Sequence, residues 1–254
     1  MEEASGLPDV NTIGLAMPFA WLAEGWKDLC AAPLIFLSYG VVVTFVCGVI
    51  ALGLVWTGLA FWSVALAAGF VFLAPVIAMG IYEGGRMLEM KQRPTLMRVA
   101  FVRSALRRDA FFLGLALLII FGVWLEMALI TSGLAASRIY PDFQAFAEFA
   151  LTTPAGRSML LWGTVIGGIL AWFTFCLVVV SAPMLLDRRY DIFTATVTSV
   201  RCVVRNTLPM MVWAATIGAL ILASVATGFI ALIVIIPWLG LASWRAYRAL
   251  VAQT

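Results

Sequence analysis

The sequence predicts an all-α integral membrane protein of six transmembrane helices, paired as three hairpins, each preceded by a short amphipathic helix lying at the membrane surface. Three observations predict it. Of the 254 residues, 64% are hydrophobic and only 11% are Asp, Glu, Lys or Arg, against roughly a quarter charged in a soluble domain. The apolar residues fall in runs near the ~20 residues that a helix needs to cross the hydrocarbon. The cations, finally, are confined to the flanks of those runs, as the positive-inside rule requires.

The runs place spans at 33–57, 60–82, 110–135, 158–185, 208–227 and 229–248. The first and second are separated only near Trp56, Thr57 and Gly58, and the fifth and sixth only near Thr227 and Gly228, so each pair is expected to form a tight hairpin. Residues 83–109 and 186–207 are basic connectors, and 136–157 is a longer loop with Arg138, Pro141, Asp142, Glu148, Pro154 and Arg157. Fourteen of the 16 Lys and Arg lie at the N-terminus, in the two basic connectors or at the C-terminus; the other two are Arg138 and Arg157. Both termini and both connectors are therefore expected in the cytoplasm, with the 136–157 loop outside. The first 17 residues hold Glu2, Glu3 and Asp9 and no cation. They lack the basic start of a signal peptide and are expected to stay as an N-terminal tail.

One membrane domain, 1–254, is expected, with pseudo-repeats at 18–82, 95–190 and 191–250. The interfacial segments are Phe19 to Leu29, Leu96 to Arg108 and Ile192 to Arg205, with Lys27, Arg103 and Arg201 at a shared position and Arg107 and Arg205 four residues on. Phe19, Leu22, Trp26 and Leu29 form one apolar stripe, and Val99, Val102 and Leu106 another. A proline with an aromatic seven residues later recurs as Pro75/Tyr82, Pro183/Tyr190 and Pro237/Trp244. Interfacial preferences produce such patterns without shared ancestry, so the repeat and chance stand as equal readings.

The chain has no histidine. It therefore lacks the imidazole for haem ligation, for His-containing metal sites, for a histidine relay or for a Ser-His-Asp device. Cys30, Cys47, Cys176 and Cys202 are dispersed without a CxxC pair and read as small apolar fillers. No cofactor or metal is expected, catalysis is disfavoured, and no catalytic residue is assigned.

Three groups of residues carry what chemistry there is. Glu126 lies within the third apolar run, where a carboxylate costs a few kcal/mol unless paired, protonated or wet; as an intramembrane acid it is a functional candidate, the competing reading being contact with headgroups at the outer interface. Glu83, Arg86 and Glu89 close the second span, and Asp187, Arg188, Arg189 and Asp191 close the fourth. These form a candidate cytoplasmic charge cluster that either locks hairpins together or receives an anionic headgroup or a partner loop. Lys27, Arg98, Arg103, Arg107, Arg201 and Arg205 are candidate contacts for anionic lipid headgroups. Nucleic acid is not an expected partner, since the cations alternate with apolar residues between spans. Gly80 with Gly84, and Gly163 with Gly167, have the spacing that permits close helix contact within the chain or with another subunit.

The segments Gly25-Trp26-Lys27-Asp28 through Pro33-Leu34, Gly80-Ile81-Tyr82-Glu83, Thr198-Ser199-Val200-Arg201 through Arg205-Asn206, and Trp244-Arg245-Ala246-Tyr247-Arg248 resemble a bacterial family of predicted six-helix integral membrane proteins of unassigned function. Its members are sometimes labelled cytochrome c oxidase subunits. The resemblance implies topology and a respiratory neighbourhood in the bacterial inner membrane. It supplies no catalytic residues, because haem–copper chemistry needs histidine ligands. The function expected is that of a non-catalytic accessory or assembly subunit of a larger membrane complex, with membrane lipids and other membrane subunits as partners. The alternative is a transporter or channel for small solutes or lipids, with a cavity between hairpins.

The charge count makes a direct prediction. A cysteine introduced at position 142 should react with an impermeant reagent from outside, and cysteines at positions 93 and 188 only after the inner membrane is opened. Reaction of position 93 in intact spheroplasts would reverse the orientation.

Overall fold

A computed structural model describes residues 7–57, 60–102, 108–135 and 143–252, and among them the chain is helical with no β-strand. The helices are α1 (Met17–Ala31), α2 (Pro33–Trp56), α3 (Ala60–Ile77), α4 (Met79–Glu89), α5 (Leu96–Ala100), α6 (Arg108–Ala135), α7 (Phe143–Thr152), α8 (Pro154–Val178), α9 (Ser181–Asp187), α10 (Ile192–Arg205), α11 (Thr207–Ser224) and α12 (Leu232–Leu250). Among the described residues four stretches are long and apolar enough to cross a membrane: Pro33–Trp56, Arg108–Ala135, Pro154–Asp187 and Thr207–Thr227. Few of their residues are buried, so most of their side chains meet the surroundings rather than one another.

The second and sixth expected spans take a different form. The stretch 60–82 is interrupted at Ala78, after an 18-residue α3 that contains Pro75. A proline inside a helix removes one backbone donor and crowds the preceding turn. Just beyond it the Tyr39 hydroxyl donates to the Ile77 carbonyl. The last helix, α12, runs 19 residues and carries Arg245 and Arg248, which its sequence-based span left at the edge. The stretch 136–157 is not simply a loop, since α7 occupies Phe143–Thr152.

The interfacial segments fare unequally. Helix α10 spans Ile192–Arg205 as expected, capped by Asp191, whose carboxylate accepts from the Thr194 backbone N–H at 2.9 Å and from its hydroxyl at 2.6 Å. Those two bonds favour the charged form and lower the Asp191 pKa. In the middle segment helix is described only for Leu96–Ala100; residues 103–107, hence Arg103 and Arg107, lie outside the described residues. Helix α1 is present, and the face it buries within the chain is mostly a different one from the stripe of large apolar residues. Phe19 and Trp26 are exposed, whereas Pro18, Trp21, Gly25, Asp28 and Leu29 are buried. A Cβ on Gly25 would come within 2.7 Å of the Ala242 backbone nitrogen. Absence of a side chain, rather than size, lets α1 lie against α12.

The chain divides into two compact units. One comprises Met1–Thr44, Pro75–Gly114 and Phe175–Thr254. In it α1 packs on α12, α5 on α4, and α10 on α9, with α12 also against α4 and α9. Leu29, Phe36, Ile81 and Leu241 form one buried cluster, and Trp21 meets Trp213 edge to face at 5.6 Å. A short extended N-terminal segment pairs with the C-terminus: Val10 bridges Val251, the Asn11 N–H donates to the Leu250 carbonyl at 2.9 Å, and the Ala252 N–H to the Asp9 carbonyl at 3.0 Å. Asn206, at the break between α10 and α11, fixes that segment by accepting from the Ile13 N–H at 2.8 Å and donating to the Asn11 carbonyl at 2.9 Å. The turn between α11 and α12 passes through Gly228 and Phe229 with φ of +58° and +68°, so its first position suits glycine.

The other unit comprises Phe45–Ala74 and Leu115–Thr174. Trp124 organises it. Its indole N–H donates to the Ala65 carbonyl at 2.9 Å, and its ring lies against Phe72 and over Gly69 and Gly167. Phe146, Ala150 and Met159 make a second small cluster where α7 meets α8.

Candidate functional site: an ion-pair lattice on the last helix

The densest polar chemistry surrounds the final turns of α12. Trp244, Arg245, Tyr247 and Arg248 fall within five residues, so they project from little more than one helical turn toward several neighbours. Arg245 makes a bidentate pair with Asp28 of α1, both N···O distances being 2.7 Å, and Glu24 lies 4.0 Å away. Arg248 reaches Glu89 of α4 at 2.7 Å and Asp187 of α9 at 3.3 Å. The Trp244 indole donates to Glu89 at 3.1 Å, and the Tyr247 hydroxyl to Asp187 at 2.8 Å. One turn of α12 thus neutralises acids from three other helices.

Asp28 is only 8% exposed. A carboxylate so placed would cost several kcal/mol of lost hydration if unpaired, and the planar guanidinium fork satisfies both oxygens together. Glu83, also buried, accepts from Arg86 through two bonds of 2.8 Å. The bonded carboxylate raises the Arg86 pKa against the opposing effect of burial. Arg188 donates to the Ala252 carbonyl at 3.0 Å and lies 3.8 Å from Asp187, joining the lattice to the C-terminus. Arg189 is exposed.

The sequence groups Glu83, Arg86 and Glu89 with Asp187, Arg188, Arg189 and Asp191 by their positions at helix ends. Glu89 and Asp187 do share one partner, Arg248. That partner was missed, and so was the Asp28–Arg245 pair, because nothing in local spacing links residues 217 apart. The repeated proline-to-aromatic interval was the available signal: it ends at Tyr82 and Trp244, both buried in this unit.

The remaining candidates are dispersed. Lys27 is exposed on α1, and Arg98 is exposed beside Gln92 at 3.3 Å. Arg201 donates to the Pro8 carbonyl at 3.3 Å and Arg205 to the Thr12 hydroxyl at 3.2 Å. Glu126 is exposed on α6. Val99 and Val102 are buried, which turns that part of the middle segment's stripe inward; Leu106 lies outside the described residues. Gly80 and Gly84 abut Val99, Tyr39 and Phe36, and Gly167 abuts Trp124, so these glycines serve contacts within the chain, while Gly163 faces open space. Burial pushes the Cys202 thiol up to about 12, leaving it protonated and unreactive at neutral pH. Among the described residues no group of three or more Cys, Asp or Glu side chains is arranged to hold a metal ion. The lattice is an acid–base network whose partners satisfy one another, suited to fastening helices.

Residues 63–187, just under half of the chain, are similar to a family described as "Predicted integral membrane protein (DUF2189)". No curated protein and no solved structure matches the chain.

The lattice predicts the outcome of a double-mutant cycle. Arg245→Met should lower stability by about 2 kcal/mol, allowing for the partial solvent access of the guanidinium, because it strands the Asp28 carboxylate. Adding Asp28→Leu should restore most of the loss. Melting in mild detergent checks this; additive losses in the double variant would mean that the pair does not hold α1 to α12.

Proposed function

We propose that this multi-pass integral membrane protein is a non-catalytic subunit that packs beside other membrane subunits, as an accessory or assembly component of a larger complex. The observation that carries the reading is Glu126. It lies 18 residues into the 28-residue α6, about 27 Å from its start and about 13 Å from its end. On the same side stand Ile119, Val123, Leu129 and Ile130, all exposed, and Gly122, whose missing side chain leaves open space. Trp124, which holds α6 to α3 and α8, points elsewhere around the helix. A carboxylate facing lipid costs about 3 kcal/mol at the centre of a span and less toward its ends. A neighbouring subunit's helix bearing an arginine, lysine or hydroxyl donor relieves the cost, and Gly122 permits its close approach.

The alternative, a solute or lipid pathway, requires polar groups to converge with Glu126. Its neighbours at i±3 and i±4 on α6 are Val123, Gly122, Leu129 and Ile130, which line a contact face better than a wet path. Six spans, cytoplasmic termini, a bacterial inner membrane and a respiratory setting belong to the same proposal. The cation distribution supports the orientation, and the family resemblance supports the setting.

Extraction in mild detergent followed by native-gel migration tests the reading. The wild type should run in an assembly with an enriched membrane partner, and Glu126→Ala should run alone while melting unchanged. A wild type that always runs alone, or an assembly indifferent to Glu126→Ala, sinks the idea.

A further inference from the structure

Helix α10 has two faces of opposite use. Ala195, Thr198, Ser199, Cys202 and Val203 are buried, and the Ser199 hydroxyl donates to the Cys176 carbonyl at 2.8 Å, fixing that face against the end of α8. The other face is bare. Phe193, Val197 and Val204 are exposed, Phe193 to 79% and Val204 to 70%, and half-buried Val200 completes their spacing along one side of the helix. At 14 residues α10 is too short to cross a bilayer. A short helix with one buried polar-and-small face and one bare apolar face is built to lie in the membrane surface.

Arg201 and Arg205 border that bare face. With Val10, Val200 and Val204 they line a cavity of about 300 Å³ between α10 and the extended N-terminal segment. Each arginine spends one bond of more than 3 Å on a neutral oxygen, Pro8 or Thr12, out of the five donors of a guanidinium. Among the described residues neither forms an ion pair, whereas Arg86, Arg188, Arg245 and Arg248 all do. Two guanidiniums with no ion-pair partner among the described residues, one helical turn apart and open to an apolar surface, match an anion joined to hydrocarbon.

We propose that the α10 cavity is a binding site for the phosphodiester headgroup of an anionic phospholipid, with its acyl chains laid along Val197, Val200, Val204 and Phe193. Arg201 and Arg205 hold the phosphate oxygens through their spare donors. The valine stripe distinguishes the ligand from free phosphate, which has no use for it. Because the headgroup would rest beside the segment that pairs with the C-terminus, occupancy also tightens that segment.

The test uses the full chain in detergent, exposed to phosphatidylglycerol or to phosphatidylcholine and read by native mass spectrometry. Phosphatidylglycerol should be retained over phosphatidylcholine by at least tenfold, two near-surface cations being worth about thirtyfold together. Arg201→Gln with Arg205→Gln should erase the preference. As those arginines also hold Pro8 and Thr12, a second variant, Val204→Glu, leaves both bonds intact; it should reduce phosphatidylglycerol retention about tenfold with unchanged melting. Inorganic phosphate at millimolar concentration should not displace the lipid. Equal retention of the two lipids, undiminished retention in either folded variant, or displacement by inorganic phosphate would overturn the proposal.

Discussion

Two arginines on the last helix cannot be left without counter-charge in a largely apolar fold, and the structure satisfies them with acids drawn from α1, α4 and α9. That requirement couples segments from the beginning, middle and end of the chain. Asp28 and Arg245 are separated by 217 positions, and Glu89 and Arg248 by 159. Charged hydrogen bonds in a low-dielectric setting are strong when fully made and costly when half made, so the arrangement is all or nothing: α12 in place closes the lattice, and α12 displaced strands several charges together. The small residues follow the same constraint. Gly25 lets α1 reach the α12 backbone, and Gly240 lies where a Cβ would meet Ile81 of α4 at 2.8 Å. The close approach brings the carboxylates within bonding distance of the guanidiniums.

The two units meet the surroundings by different means. In the unit of Trp124 the described buried residues gather around that aromatic hub and the Phe146, Ala150 and Met159 cluster, and the long helices expose many Leu, Ile, Val and Phe side chains. Lipid is as apolar as those side chains, so helices there hold together by packing and a few directed bonds rather than by exclusion of water. The Trp124-to-Ala65 hydrogen bond, with Gly69 and Gly167 giving the ring room, is such a device. The unit of α12 also contains a stretch able to cross a membrane, Thr207–Thr227, but among the described residues it carries the ion pairs that tie helix ends together.

What could be read from the sequence follows from what is local. The apolar runs and the boundaries of α10 were legible because hydropathy and a 3.6-residue period are properties of neighbouring residues. The cap at Asp191 is local too, but Asp191 read only as one charge of the helix-end cluster. The buried face of α1 was not legible: a stripe of large side chains is the usual signal, yet here glycine and aspartate go inside because Ala242 and Arg245 are there to receive them. The interruption at Ala78 was also hidden, although Pro75 marked its vicinity. Arg245 and Arg248 read as ordinary cations at the end of a span. Their role appears only once three acids from distant segments surround them. Of the candidate acids, Glu89 and Asp187 were found by position alone, and Asp28 by nothing in its own neighbourhood.

Hydrogen–deuterium exchange on the wild type and on Arg248→Gln tests the central claim most directly, that one turn of α12 locks three other helices. The account predicts that peptides covering 20–31, 80–89 and 181–187 lose protection together with α12 in the variant, while peptides around Trp124 do not change. Faster exchange confined to α12, with 80–89 and 181–187 as protected as in the wild type, would contradict it.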